Sequence, residues 1–294
     1  TTLFRSHRGK DVTEIRGSAF INSYKIKEVV IPSTVKIIHG HAFENNVNLT
    51  TVVLPKDLEE IRAYTFNNDT KLTNVTMPSN LKSIGGYAFA NCKSLNNITL
   101  PNTLTEIKGH AFDGASSLVN IKLPDSLETI GGGAFRDCTS LVSITIPEKV
   151  TEIQGNTFTN CTSLVEVNLH NNITSIHGEV FMGCTSLKTI KLPSKLEEIR
   201  GSTFQNCSSL TEIDIPEKVT RIGGHAFHNC TSLSRVSFPD SLIEIGSSAF
   251  RNCTSLKSVE LSRKTIVNER AFKESPTIIN YKDQTTGGTY GYAR

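Results

Sequence analysis

Apolar and polar positions recur along this chain with a period of 23 residues, and the phenylalanines mark it most clearly. Phe20, Phe43, Phe66, Phe89 and so on to Phe250 stand 23 apart, Phe272 follows after 22, and 12 of the 14 Phe therefore share one column. Other columns keep step with it. Counted from each of these phenylalanines, position −5 is Ile in eleven units, from Ile15 to Ile245, and position −8 is Val, Leu or Ile. Positions +6, +9 and +11 are apolar, as in Leu49, Val52 and Leu54, and +12 is Pro in nine units, from Pro32 to Pro239.

A repeat of this kind has to be read before any motif, because it decides the fold. One unit supplies roughly six large apolar side chains, worth about 10 to 15 kcal/mol of gross burial. Ordering its backbone costs more, at about 1 to 2 kcal/mol per residue. A unit alone is therefore unfolded, and stability requires each unit to cover the apolar face of the next in a one-dimensional stack.

Within the unit, apolar +9 and +11 alternate with polar +8 and +10 and end at Pro, which predicts a first strand. A second short strand is predicted where Leu104-Thr105-Glu106-Ile107-Lys108 runs, closed by Gly at −3 in nine units. A single helical turn through Ala-Phe should follow. Position +2 ends that turn with Asn, Asp or Gly, from Asn22 and Asn45 through Gly114 to Asn252, residues that tolerate left-handed backbone. Position −6 holds Glu in alternate units (Glu14, Glu60, Glu106, Glu152, Glu198, Glu244), with Arg16, Arg62, Lys108 and Arg200 two residues further on. Stacked in register at about 4.8 Å, glutamate in every unit would form a repelling column; alternation doubles the separation, and four of the six gain a nearby cation.

The unit resembles the BspA-like leucine-rich repeats. The resemblance is carried by the segment LNNITLP at Leu95–Pro101, by Leu104-Thr105-Glu106-Ile107, and by blocks such as Gly224-His225-Ala226-Phe227-His228-Asn229-Cys230, and it covers about Asp11 to Tyr281. It implies a leucine-rich-repeat solenoid of about twelve 23-residue rungs: parallel β-sheets, short helical or 3-10 turns, and a curved right-handed coil. It also implies a cell-surface or secreted location, chiefly in bacteria, and adhesion to host proteins or neighbouring cells. The column where ribonuclease-inhibitor-type repeats want a buried Asn holds Thr34, Asp57, Asn80 and Thr103 instead, so that asparagine ladder is not expected.

Composition removes several functions. With 31 Lys plus Arg against 28 Asp plus Glu, the net charge is +3 and both signs are scattered, so no basic stripe for nucleic acid is formed. No apolar run approaches the roughly 18 residues of a membrane span, and the first residues do not read as a signal peptide. Residues 1–10 read as a polar N-terminal cap, 11–281 as the solenoid and 282–294 as a tail. Ser262 in place of Pro and Pro276 in the last turn suggest either a C-terminal cap or an interrupted array, and an open end would favour end-to-end self-association.

Catalytic templates are missing: there is no G-x-S-x-G, H-E-x-x-H, Walker loop or C-x-x-C. The chain is read as non-enzymatic and without cofactor. All seven cysteines, from Cys92 to Cys253, occupy column +3 at multiples of 23. A straight column cannot converge on zinc and is no disulfide framework, so a ladder of small buried thiols is expected. The eight histidines gather into no ligand set. More suggestive is column −2, where His41, Tyr64, Tyr87 and His110 follow in consecutive rungs. They read either as a flat aromatic strip that stacks a sugar or a partner side chain, or simply as cover for neighbouring turns.

The outward columns of the first strand offer the broadest surface: Thr51, Asn74, Thr76, Asn97, Thr99, Asn120, Lys122, Ser143, Thr145 and Asn168. A plane of hydroxyl and amide groups suits an extracellular protein or glycan bound by many weak contacts. The alternative reading is a structural spacer or targeting arm of a larger multidomain protein.

Overall fold

The computed structural model describes residues 11–282; the expected cap and nearly all of the expected tail lie outside them. Among the described residues the chain forms 21 short strands in two rows, all paired in parallel. The first row contains three- and four-residue strands such as Thr51–Val53, Asn74–Thr76 and Ser143–Thr145. The second contains two-residue strands from Glu14–Ile15 to Ile266–Val267. Register is one unit per rung: Ile61 pairs with Ile84, Ile84 with Ile107, and Ile107 with Ile130. Each sequence column is therefore a straight row along the solenoid.

The core is a ladder of phenylalanines. From Phe20 to Phe272 consecutive rings stack with centroids 5.0–5.8 Å apart and planes within 15° of parallel. Phe43 to Phe250 are completely buried, whereas Phe20 and Phe272 are partly open.

The expected helical turn around Ala-Phe is not a helix. In the rung of Phe89, Ala88, Ala90 and Cys92 donate their N–H groups three residues back, to Gly85, Tyr87 and Phe89. The N–H groups between them, of Tyr87, Phe89 and Asn91, donate to Gly109, Ala111 and Asp113 of the next rung. Half the donors a helix would need are spent on stacking, so the segment closes as a series of turns. Left-handed residues bound it at −2 and +2, with φ of 57° at Tyr87 and 56° at Asn91.

Column +2 holds a feature the sequence reading took only as a turn signal. Its amides bond from rung to rung: Asn68 to Asn45 at 2.6 Å, Asn160 to Asp137 at 2.8 Å, and Asn252 to Asn229 at 2.9 Å. These links form an asparagine ladder in a different column from that of ribonuclease-inhibitor-type repeats.

All seven cysteines are free and buried. Each Sγ donates to the phenylalanine carbonyl of the rung before, 3.1–3.3 Å away, as Cys138 does to Phe112. Burial holds the thiols well above the ordinary thiol range, and Cys253 is pushed up to about 12. Thiolate is the reactive form. The native chain is therefore expected to resist alkylation at pH 8, with seven labels appearing by mass spectrometry after denaturation; rapid labelling of the native chain would refute a closed column.

Non-cysteine occupants of this column behave differently. Asn46 and Asp69 are fully buried. The Asn46 N–H donates to Asp69 Oδ1 at 2.7 Å, but Asp69 Oδ2 has no partner. Burial, reinforced by nearby Glu44 and opposed by that backbone bond, pushes the carboxyl up to about 9.

Candidate functional site

The first strand row carries the expected face outward. Asn74, Thr76, Asn97, Thr99, Asn120, Lys122, Thr145 and Asn168 are exposed, and Thr51 and Ser143 are half-exposed. Between them Val52, Ile98, Ile121, Ile144 and Val167 point inward and are buried, the alternation a one-sided sheet requires. Few of the outward side chains are engaged. Asn74 donates to Thr73 at 3.1 Å and Asn168 to Glu166 at 2.8 Å and Thr145 at 3.2 Å. Asn97, Thr99, Asn120 and Lys122 make no side-chain hydrogen bond within the described residues.

The row is not continuous. Residues 97–99 and 189–191 form no strand, and Asn120 keeps a single bridge to Ser143. The core side chains stay buried where pairing lapses: Leu100 is 8% exposed and Ile121 7%, no more than Val167 and Val236 of paired strands at 7% and 9%. A shallow groove lies there, floored by Ile121, Leu123 and Ile144 and rimmed by Asn120, Lys122 and Thr145.

Column −2 brings the four aromatic residues together, but not as a platform. His41, Tyr64, Tyr87 and His110 stack face to face with centroids 4.7, 4.9 and 4.7 Å apart and planes within 7°. Neighbouring rings cover both faces of Tyr64 and Tyr87. Beyond His110 lies Gly133, where a Cβ would stand 2.5 Å from the imidazole. The expected stacking of a sugar on a flat strip is thus denied to the inner rings, which offer only edges and hydroxyls. Both ends are anchored by acids three residues on, His41 Nδ1 to Glu44 at 2.6 Å and His110 Nδ1 to Asp113 at 2.8 Å. All four residues have φ between 57° and 62°, an uncommon backbone for bulky side chains.

On the second row Arg62, Lys108 and Arg200 pair with the alternating glutamates as expected, whereas Glu14 is met by His39 and not by Arg16. Arg62 and Arg200 meet Glu60 and Glu198 at 3.3 and 2.7 Å, and Lys108 lies 3.8 Å from both Glu60 and Glu106. Two histidines missed in the sequence join them. Arg62 donates to His39 Nδ1 at 2.9 Å and Arg200 to His177 Nδ1 at 3.0 Å; His39 and His177 turn their other nitrogen towards Glu14 and Glu152. Among the described residues no group of three or more His, Cys, Asp or Glu is placed to hold a metal ion, and no helix is long and apolar enough to cross a membrane.

Comparison with known proteins agrees with this geometry. No curated protein matches the chain. Among solved structures it is similar to a leucine-rich repeat protein of Bacteroides ovatus, with 27% identity over 95% of this chain and 90% of that one and a TM-score of 0.57. A leucine-rich repeat protein of T. pallidum shares 35% identity over 55% of this chain and 78% of that one, with a TM-score of 0.53. A leucine rich cell surface protein of Faecalibacterium prausnitzii shares 29% over 88% and 86%, with a TM-score of 0.52. The family described as BspA type leucine rich repeat region (6 copies) matches residues 7–118, 59–188, 105–232 and 151–279 in overlapping stretches. A 23-residue period, two rows of parallel strands and a match that runs almost from end to end converge on one conclusion: the chain belongs to the BspA-type leucine-rich-repeat family.

Proposed function

We propose that this chain is a non-enzymatic recognition region of a cell-surface or secreted protein, and that it binds an extracellular protein or glycan through the outward face of its first strand row. One observation carries the reading: Asn74, Thr76, Asn97, Thr99, Asn120 and Lys122 share one exposed face with their hydrogen-bonding groups almost wholly unspent. A broad, shallow, polar surface gains affinity by summing weak contacts, whereas catalysis needs groups converging on one point. The surface location is supported by the family and by the similarity to a leucine rich cell surface protein.

The test is an array of glycans and matrix proteins probed with the native chain and with a Thr76→Glu, Thr99→Glu, Thr145→Glu variant. Unpaired carboxylates forced into an interface cost about 2 to 5 kcal/mol, so binding should weaken by about tenfold or more. Unaltered binding by the variant would remove this face from consideration.

A further inference from the structure

The second strand row presents charge in an unusual order. One of its two four-stranded stretches pairs Glu60, Ser83, Glu106 and Thr129; in the other, Arg221 stands between Glu198 and Glu244. Two residues along in the first stretch, on the same side of the strands, stand Arg62, Gly85, Lys108 and Gly131. An acidic row and a basic row therefore run side by side, about 6.6 Å apart, with charged rungs about 9.6 Å apart. Small residues separate them. All four charged side chains are well exposed, between 39% and 45%, and their pairing within the chain is of the weak surface kind. Ile37, next in the acidic row, is itself 38% exposed.

Such a pair of rows is self-complementary in one orientation only. Two copies placed face to face and related by a two-fold axis along the strands would set acid against acid. With the two-fold axis along the solenoid, the copies run parallel with rungs in register, and each acidic row falls opposite the partner's basic row. Rung spacing is the same in both copies, so the match persists along the contact.

We infer that the second strand row is a self-association surface, on which a second copy of this chain docks in parallel, Glu60 and Glu106 facing the partner's Arg62 and Lys108. The contact is isologous, as a two-fold requires. The first strand row belongs to separate sheets and stays free for ligand, so the inference stands whether or not the proposed binding function holds.

Sedimentation velocity on the 294-residue chain tests it. The expected result is a reversible dimer at high concentration in low salt, dissociating as salt screens the contact. Glu60→Arg with Glu106→Arg makes the face wholly basic; Arg62→Glu with Lys108→Glu makes it wholly acidic. Each variant alone should lose association, its dissociation constant rising by about tenfold or more, while an equimolar mixture of the two should regain it. The isosteric, neutral Glu60→Gln with Glu106→Gln gives the same reading if a reversal prevents folding. A wild-type chain that remains monomeric in low salt, variants that associate as tightly as wild type, or a mixture no tighter than its components would each overturn the inference.

Discussion

At pH 8 the Asp69→Asn variant is expected to be more stable than the wild-type chain, by an amount that vanishes as the pH is lowered. Asp69 is fully buried, Oδ1 accepts the Asn46 N–H, and Oδ2 is unpartnered. Burial raises the folded carboxyl to about 9 from the ordinary 3.8, so between those values the folded state holds a proton that the unfolded state releases. The unfolding free energy then falls by about 1.4 kcal/mol for each pH unit across that window. The contribution is fully present below the unfolded value and is lost as pH rises through the folded one. At pH 8 the accumulated cost is on the order of 5 kcal/mol.

Asparagine removes the charge and keeps the shape. It also copies the preceding rung, where Asn46 accepts the Ser23 N–H at 2.6 Å and donates to Phe43 O at 2.5 Å. Urea unfolding at pH 5 and pH 8 is the measurement: the wild-type midpoint should drop relative to the variant as pH rises. Parallel behaviour of the two chains would mean that the carboxylate is solvated or paired in solution.

Most of this fold is legible in the residues because a stack makes period and space the same thing. The columns of Phe, of Ile at −5 and of Cys at +3 become straight rows, since parallel pairing with a one-unit register permits nothing else. The alternation of Glu60, Ser83 and Glu106 likewise anticipates pairs that the structure contains. What escapes the residues is direction within a rung. Column −2 places His41, Tyr64, Tyr87 and His110 on consecutive rungs but does not say whether rings turn a face or an edge to solvent; a left-handed backbone at each decides it, and they stack on one another. The Ala-Phe turn misleads for a related reason. Its local sequence suits a helix, and only the neighbouring rung reveals that alternate N–H groups are already taken. Asn45 and Asn68 look like turn residues and are, yet their side chains also link rungs, a second role with no separate local signal. The outward face of the first row is predictable from strand alternation, whereas the lapses in pairing at 97–99 and 189–191 are not, because their sequences keep the same pattern as paired rungs.

The one-dimensional build also fixes how damage should spread. Phe135 stacks on Phe112 at 5.5 Å and on Phe158 at 5.8 Å and is fully buried. Phe135→Ala removes contacts on both sides and leaves a cavity that backbone pairing above and below prevents from collapsing. A cost of about 3 to 5 kcal/mol is expected. Phe272 touches one ring, Phe250 at 5.1 Å, and is only partly buried, so Phe272→Ala should cost roughly half as much or less. The interior change acts on coupling as well as on stability. Stability of a solenoid is close to a sum of rung and interface terms, and a weakened central interface should let the two halves unfold separately. Urea denaturation followed by circular dichroism is expected to show a broadened or two-step transition for Phe135→Ala and a single, modestly shifted one for Phe272→Ala. Equal losses at both sites, with one sharp transition each, would mean that the phenylalanine ladder is not what couples the rungs.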